Sequence, residues 1–303
     1  MTDTNKNIFY ILLFFAMIGW GGSWVNIKIL SNYLNEFETM FFRFAITAIT
    51  MIPIIIILKK SFKINFKSFI VVLLTSIAMI AYMKYFYLGT KFGTASLGGA
   101  FVTSLIPINT FLIMAIMGSK KITKKDSFAL GLGAIGVMTM LNVWSFKVDE
   151  IFVIHNLYFI LASLLWPVVT ILSSKAINIS PIVFTLYLYI VTCILNLIFF
   201  IDLSTIEYEK LDSLFWINML FLAIAASTFA NTIYFLGIEK LGASEVSTFI
   251  FLVPFAAITL SAIFLKEEIN LSIIIGTVLT IIAVKVLNNI KIFKKKEIIE
   301  QSK

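Results

Sequence analysis

Ten apolar stretches of about 20 residues follow one another along this chain with only short breaks between them. They run at about 8–30, 36–58, 67–88, 94–118, 126–144, 153–174, 180–201, 213–236, 243–265 and 270–289. Each is long enough to cross a hydrocarbon core of about 30 Å at about 1.5 Å per helical residue. Within lipid, backbone N–H and C=O groups must be bonded inside the protein, which leaves helices or a closed barrel. The length of the runs and the lack of strict two-residue alternation select helices. The expected fold is therefore an all-α integral membrane protein of ten transmembrane helices.

Composition excludes the other broad classes. Hydrophobic residues make up 60% of the 303 positions and charged residues only 13%. A soluble domain has about 25% charged residues and needs them to coat its surface. A soluble enzyme, a nucleic-acid-binding domain and a disordered chain are all ruled out. The net charge of +8 reads as lysine retained at one membrane face rather than as a nucleic-acid footprint. Cys193 is the single cysteine, so no disulfide framework or cysteine metal site is expected. The first apolar run lacks a small-residue cleavage site and reads as a retained helix rather than a cleaved signal.

Lysine placement sets the orientation. With the N-terminus inside, the inner segments hold 16 lysines, among them Lys59, Lys60, Lys63, Lys67, Lys124 and Lys125. The outer loops hold 4: Lys91, Lys147, Lys210 and Lys266. This asymmetry predicts both termini in the cytoplasm and residence in the cytoplasmic membrane. Acidic residues lean outward, from Glu36 and Glu38 to Glu267 and Glu268.

The chain also repeats itself. Leu88-Gly89 matches Leu236-Gly237 and Ala95-Ser96 matches Ala243-Ser244; Pro107 then matches Pro254, and Trp20 matches Trp166. The expected division is 1–146 for the first repeat, 147–290 for the second and 291–303 for a basic tail. Five helices per repeat is an odd number, so the halves must be inverted. Inverted repeats point to a carrier with its site between the halves near the midplane.

The sequence resembles the drug/metabolite transporter superfamily, and within it the EamA-type ten-helix carriers. The matching pieces are Trp-Gly-Gly-Ser at Trp20 to Ser23, Gly-Thr-Ala-Ser at Gly93 to Ser96 and Leu-Gly-Ala-Ser at Leu241 to Ser244. The helix 9 ending at Phe264 to Glu268 and the glycine at Gly276 also match. The first repeat departs at Met117 to Lys121, where such carriers often have an acid after the glycine; on an inner face lysine is favoured. The resemblance implies alternating-access transport of a small organic metabolite through a cavity lined by helices 1, 3, 4, 6, 8 and 9. It leaves the cargo open.

Candidate site residues follow from chemistry within the spans. Lys28, Arg43 and Lys84 fall toward the outer side of one repeat, a charge placement that costs about 2.5–3.5 kcal/mol at a helix centre. They suggest a positive vestibule for a carboxylate or phosphate, against snorkelling or a pairing of Arg43 with Glu36 or Glu38. Trp20, Trp24, Tyr82, Trp166 and Tyr234 are candidates for stacking or cation–π contact with a planar solute. Asn26 and Asn231 are candidate polar contacts, because helices 1 and 8 line the cavity that the resemblance implies. Pro107 and Pro254 free carbonyls one turn back and read as hinges. Glu245, at the start of helix 9, reads as a gate or a helix-dipole partner.

The competing classes are weaker. His155 is the only histidine, and no HExxH or Asp-rich motif supports an intramembrane enzyme; no cofactor or metal is implied. A receptor or scaffold needs no two-faced cavity. The partners expected are a small-molecule solute and the lipid bilayer, with no nucleic acid, and a homodimer is left open. Among cargoes, an amino acid or related compound is the first reading. A planar heterocyclic vitamin such as riboflavin is the second, favoured by 30 Phe, 10 Tyr and 5 Trp.

Overall fold

The computed structural model describes residues 3–118, 121–145, 151–176, 179–241, 246 and 248–287. Among them there is no strand. Beside short 3-10 turns at Val143–Ser145, Leu203–Thr205 and Tyr208–Lys210, the described residues form ten longer helical segments: α1 (Asp3–Leu30), α2 (Glu36–Ile57), α3 (Phe66–Phe92), α4 (Ala95–Ile116), α5 (Lys124–Met140), α6 (Ile154–Ser173), α7 (Pro181–Phe199), α8 (213–241), α9 (248–265) and α10 (Leu271–Leu287). Seven are long and apolar enough to cross a membrane, and α9 and α10 are shorter apolar helices. At 17 residues, α5 spans about 25 Å.

Local chemistry sets the helix starts. The Asn35 side chain accepts from the backbone N–H of Phe37 and Glu38, and Glu38 in turn accepts from the Asn35 N–H at 2.9 Å, closing a capping box. Thr123 and Asp126 build the same device for α5. Asn65, Thr94 and Asp212 cap α3, α4 and α8. Asp212 accepts from the Phe215 N–H and the Tyr33 hydroxyl, both at 2.9 Å. These two donors hold its carboxyl below the usual aspartate range. A depressed folded-state value means that the cap persists above the ordinary aspartate pKa and is lost as pH falls through the depressed one.

Helix 3 runs one turn past the expected Leu88, through Lys91 to Phe92. The Thr90 hydroxyl donates to the Phe86 carbonyl and the Gly93 N–H to the Gly89 carbonyl, so α3 and α4 are separated only by Gly93 and Thr94. Glu245 and the tail 291–303 lie outside the described residues.

The packing repeats in two-fold fashion. α1 packs on α9 and α8, and correspondingly α6 packs on α4 and α3; α3 meets α7 as α8 meets α2. The pairs α2·α7, α4·α9 and α5·α10 map onto themselves. The fold is thus two five-helix repeats in inverted relation, as the odd helix count requires.

Lipid removes the hydrophobic drive between helices, so close contact relies on small residues. At the α5·α10 seam a Cβ on Gly276 would lie 2.5 Å from the Gly136 carbonyl oxygen, a backbone atom that cannot step aside. Gly276→Val is expected to destabilise the folded protein by about 1–3 kcal/mol, while Val278→Ile on the exposed face of the same helix leaves it unchanged. Thermal unfolding in detergent measures both. The outer girdle of the bundle carries exposed Ile56, Ile57, Ile116, Phe128, Phe264 and Leu271, an apolar surface that needs lipid to cover it.

Candidate functional site

The polar centre of the bundle forms around Arg43. It lies seven residues, about 10 Å, into α2, and is only 6% exposed. Its Nε donates to the Ser227 hydroxyl at 3.0 Å and one terminal nitrogen to the Tyr87 hydroxyl at 3.2 Å. The guanidinium lies 5.7 Å from the centre of the Phe44 ring. Among the described residues, no carboxylate is hydrogen-bonded to it. Glu38, which the sequence offers as a counter-ion, is instead engaged in the α2 cap.

The shape of α8 positions Ser227. This helix is α-helical over Ser213–Leu220 and Ala230–Leu241, with a wide π turn over Phe221–Phe229 between them. Across that turn the Ser227 and Thr228 hydroxyls donate to carbonyls five residues back, on Leu222 and Ala223. With its proton committed to Leu222, Ser227 presents lone pairs to Arg43. The Thr47 hydroxyl, one turn along α2, also donates to the Ala223 carbonyl at 3.2 Å. π turns of this kind recur at functional sites.

Around the charge stands a tier of aromatics. Tyr189 on α7 stacks on Phe44 at 4.6 Å and accepts a 2.5 Å hydrogen bond from Asn231. Tyr82 packs on Trp166 at 4.8 Å and on Phe86 at 5.9 Å. A second aromatic pair, Trp20 with Tyr234 at 5.1 Å, joins α1 to α8 elsewhere. The structure thus brings Tyr82, Trp166 and Asn231 to the Arg43 centre and sets Trp20 and Tyr234 apart from it.

Several expected residues do other work. Trp24 is 2% exposed, wedged against Phe86 at 4.2 Å and Phe159 at 6.1 Å, with no face free for a solute. It shares a helix with Trp20, yet each four-residue step advances about 40°, which carries the two rings to different neighbours. Asn26 is buried and donates to Asn218 at 2.8 Å, its own oxygen unpartnered. Pro107 and Pro254 lie inside α4 and α9, which pack together.

Lys28, Arg43 and Lys84, the cations expected to form one vestibule, meet three different sets of neighbours. Lys84 lies in an apolar groove of about 420 Å³ lined mainly by α3 and α7, beside the rings of Phe37 and Tyr85. Lys28 turns to the end of α3 and donates to the carbonyls of Lys91 at 2.8 Å and Gly93 at 2.6 Å. Beside it, Glu267 accepts from the N–H groups of Ala95 at 2.8 Å and Ser96 at 2.9 Å. A cation thus meets a helix C-terminus and an anion a helix N-terminus, the favourable sense in both cases. Together they clasp α1 and the α9–α10 loop to the α3–α4 turn. Among the described residues no cluster of His, Cys, Asp and Glu could hold a metal.

The EamA-like transporter family matches residues 7–142 and, a second time, 153–289. The chain belongs to that family. This transporter is accordingly a multi-pass membrane protein of the drug/metabolite superfamily. It is 24% identical over 290 residues to the uncharacterized transporter YyaM of Bacillus subtilis, covering 92% of this chain and 93% of that one. It is 23% identical over 277 residues to YetK of the same organism, covering 88% and 82%. A solved structure, described only as the crystal structure of a protein, shares the fold with a TM-score of 0.61 at 14% identity, covering 93% of this chain and 97% of that one. The Arg43, Tyr87, Ser227 and Tyr189 constellation of this EamA-like transporter is assembled from four helices; in the sequence it is marked by the intramembrane charge of Arg43 and the intramembrane hydroxyl of Ser227.

Proposed function

We propose that this chain carries a small organic metabolite, an amino acid or related compound, across the cytoplasmic membrane by alternating access. Units 1–146 and 147–290 move against each other, with both termini in the cytoplasm. The observation that supports this most is the buried Arg43 centre, built by α2 and α3 of one half and α7 and α8 of the other. An intramembrane charge costs stability and is kept where a solute needs it. Tyr82, Trp166 and Asn231 border the solute at this centre, Trp20 and Tyr234 line a second part of its path, and Pro107 and Pro254 let α4 and α9 bend. The paired aromatics also support a second reading, a planar heterocyclic solute held by stacking.

Reconstituted vesicles test the proposal directly. Labelled amino acids and heterocyclic vitamins should enter protein-containing vesicles faster than empty ones, with saturation. A receptor or scaffold moves none of them. The orientation has its own test in a Cys193→Ser background. Asp202→Cys should react with an impermeant thiol reagent on intact cells, and Ser180→Cys only after the membrane is opened. Equal reactivity at both positions would refute the ten-span inverted arrangement.

A further inference from the structure

The solute's charge can be read from the same centre, and the inference rests on the transport reading above. We infer that Arg43 is a subsite for a single carboxylate, so that the transported solute bears at least one such group. The reasoning is an inventory of donors and acceptors. A guanidinium has five N–H donors and no acceptor. Its partners here, Ser227 and Tyr87, are neutral hydroxyls, and its sulfur contact with Met83 is long at 3.9 Å. Tyr87 accepts from Arg43, and Tyr189 accepts from Asn231, so the phenol protons of both are left to point elsewhere. Tyr189 lies within electrostatic reach of both Arg43 and Tyr87.

Among the described residues the centre therefore presents donors and a positive charge with no carboxylate bonded to them. The charges at the α3–α4 turn, by contrast, have their complements: Glu267 has two N–H groups and Lys28 two carbonyls. A cationic solute would be repelled, and a neutral one would leave the guanidinium uncompensated in a low-dielectric interior. A carboxylate takes two parallel N–H bonds from an arginine fork and cancels one charge with one. A dianionic phosphate would leave surplus charge behind. Arg43 is buried in this conformation, and the gap that reaches Tyr87 past Glu36 and Lys91 is about 10 Å³, room for one water. Binding thus requires the bundle to open.

Matched probes on the purified transporter test this, with thermal stabilisation as the readout. Acetate, benzoate, 3-phenylpropionate and L-phenylalanine carry the carboxylate; benzamide and 3-phenylpropionamide carry the same bodies without charge. At least one acid should raise the melting temperature while its amide does not. Arg43→Gln should weaken that acid about 10–100-fold, the worth of a charge-assisted hydrogen bond, with Arg43→Lys in between. Tyr87→Phe keeps the charge and should weaken it less, which guards against loss through misfolding. Equal stabilisation by acid and amide, no stabilisation by any acid, or unchanged acid binding in Arg43→Gln overturns the subsite. Vesicles that move only a neutral or cationic solute overturn the subsite and leave transport standing, whereas vesicles that move nothing overturn transport itself.

Discussion

Arg43→Met should make the protein more stable and stop it working. A buried charge whose partners are all neutral pays a large desolvation cost, and an apolar side chain of similar volume removes it. Even buried ion pairs exchanged for apolar residues are often neutral or stabilising by about 1–4 kcal/mol, and removing an uncompensated charge should have the same sign. The same substitution removes the group that draws the solute into the centre, so flux into reconstituted vesicles should fall about 100-fold or more. The opposite signs are the point. An arginine kept for structure would lower unfolding temperature and flux together on replacement. Thermal unfolding in detergent and initial uptake rates on the same preparation separate the two cases. A drop in both would leave Arg43 as a strut between α2 and α8, and the Ser227 contact at 3.0 Å would be its purpose.

Glu267→Gln should loosen the end of the bundle that carries the α3–α4 turn. The carboxylate accepts from two backbone N–H groups, on Ala95 and Ser96, and hydrogen bonds to a charged group are worth about 1.5–3 kcal/mol each. The amide keeps one acceptor and places a donor where the other stood. Hydrogen exchange at Ala95 and Ser96 should speed up by about 10–100-fold, while exchange along the α5·α10 seam stays as it is. Lys28→Met should act in the same direction and less strongly, because its Nζ holds carbonyls that already lie at a helix end. Unaltered exchange in Glu267→Gln would mean that helix packing alone holds this end shut.

The spans were legible because lipid forces a simple rule: apolar runs of helical length between polar breaks. The pairing of halves was legible from the echoes of Leu88-Gly89 and Ala95-Ser96 in the second half, and the contact pattern repeats as they imply. The centre was legible only as an oddity, a lone Arg43 in an apolar helix. Its partner Ser227 lies 184 residues away and reaches it from a π turn, which leaves no mark in local hydrophobic periodicity. Lys28, Arg43 and Lys84 all fell in the outer third of one repeat. What separates them is the neighbours each one meets: carbonyls, hydroxyls and an apolar groove. Trp24 shows the reverse case, a residue of suggestive chemistry absorbed into packing against Phe86 and Phe159.

The wide turns of α8 at Phe221–Phe229 and of α9 at Ser261–Leu265 occur in the second half, while α1 to α5 are α-helical throughout. The extra backbone room of the π turn lets the Ser227 and Thr228 hydroxyls reach carbonyls five residues back and leaves the Ser227 oxygen facing Arg43. The two halves therefore share a packing pattern and differ in winding, and the departure falls on the arm that supplies Ser227.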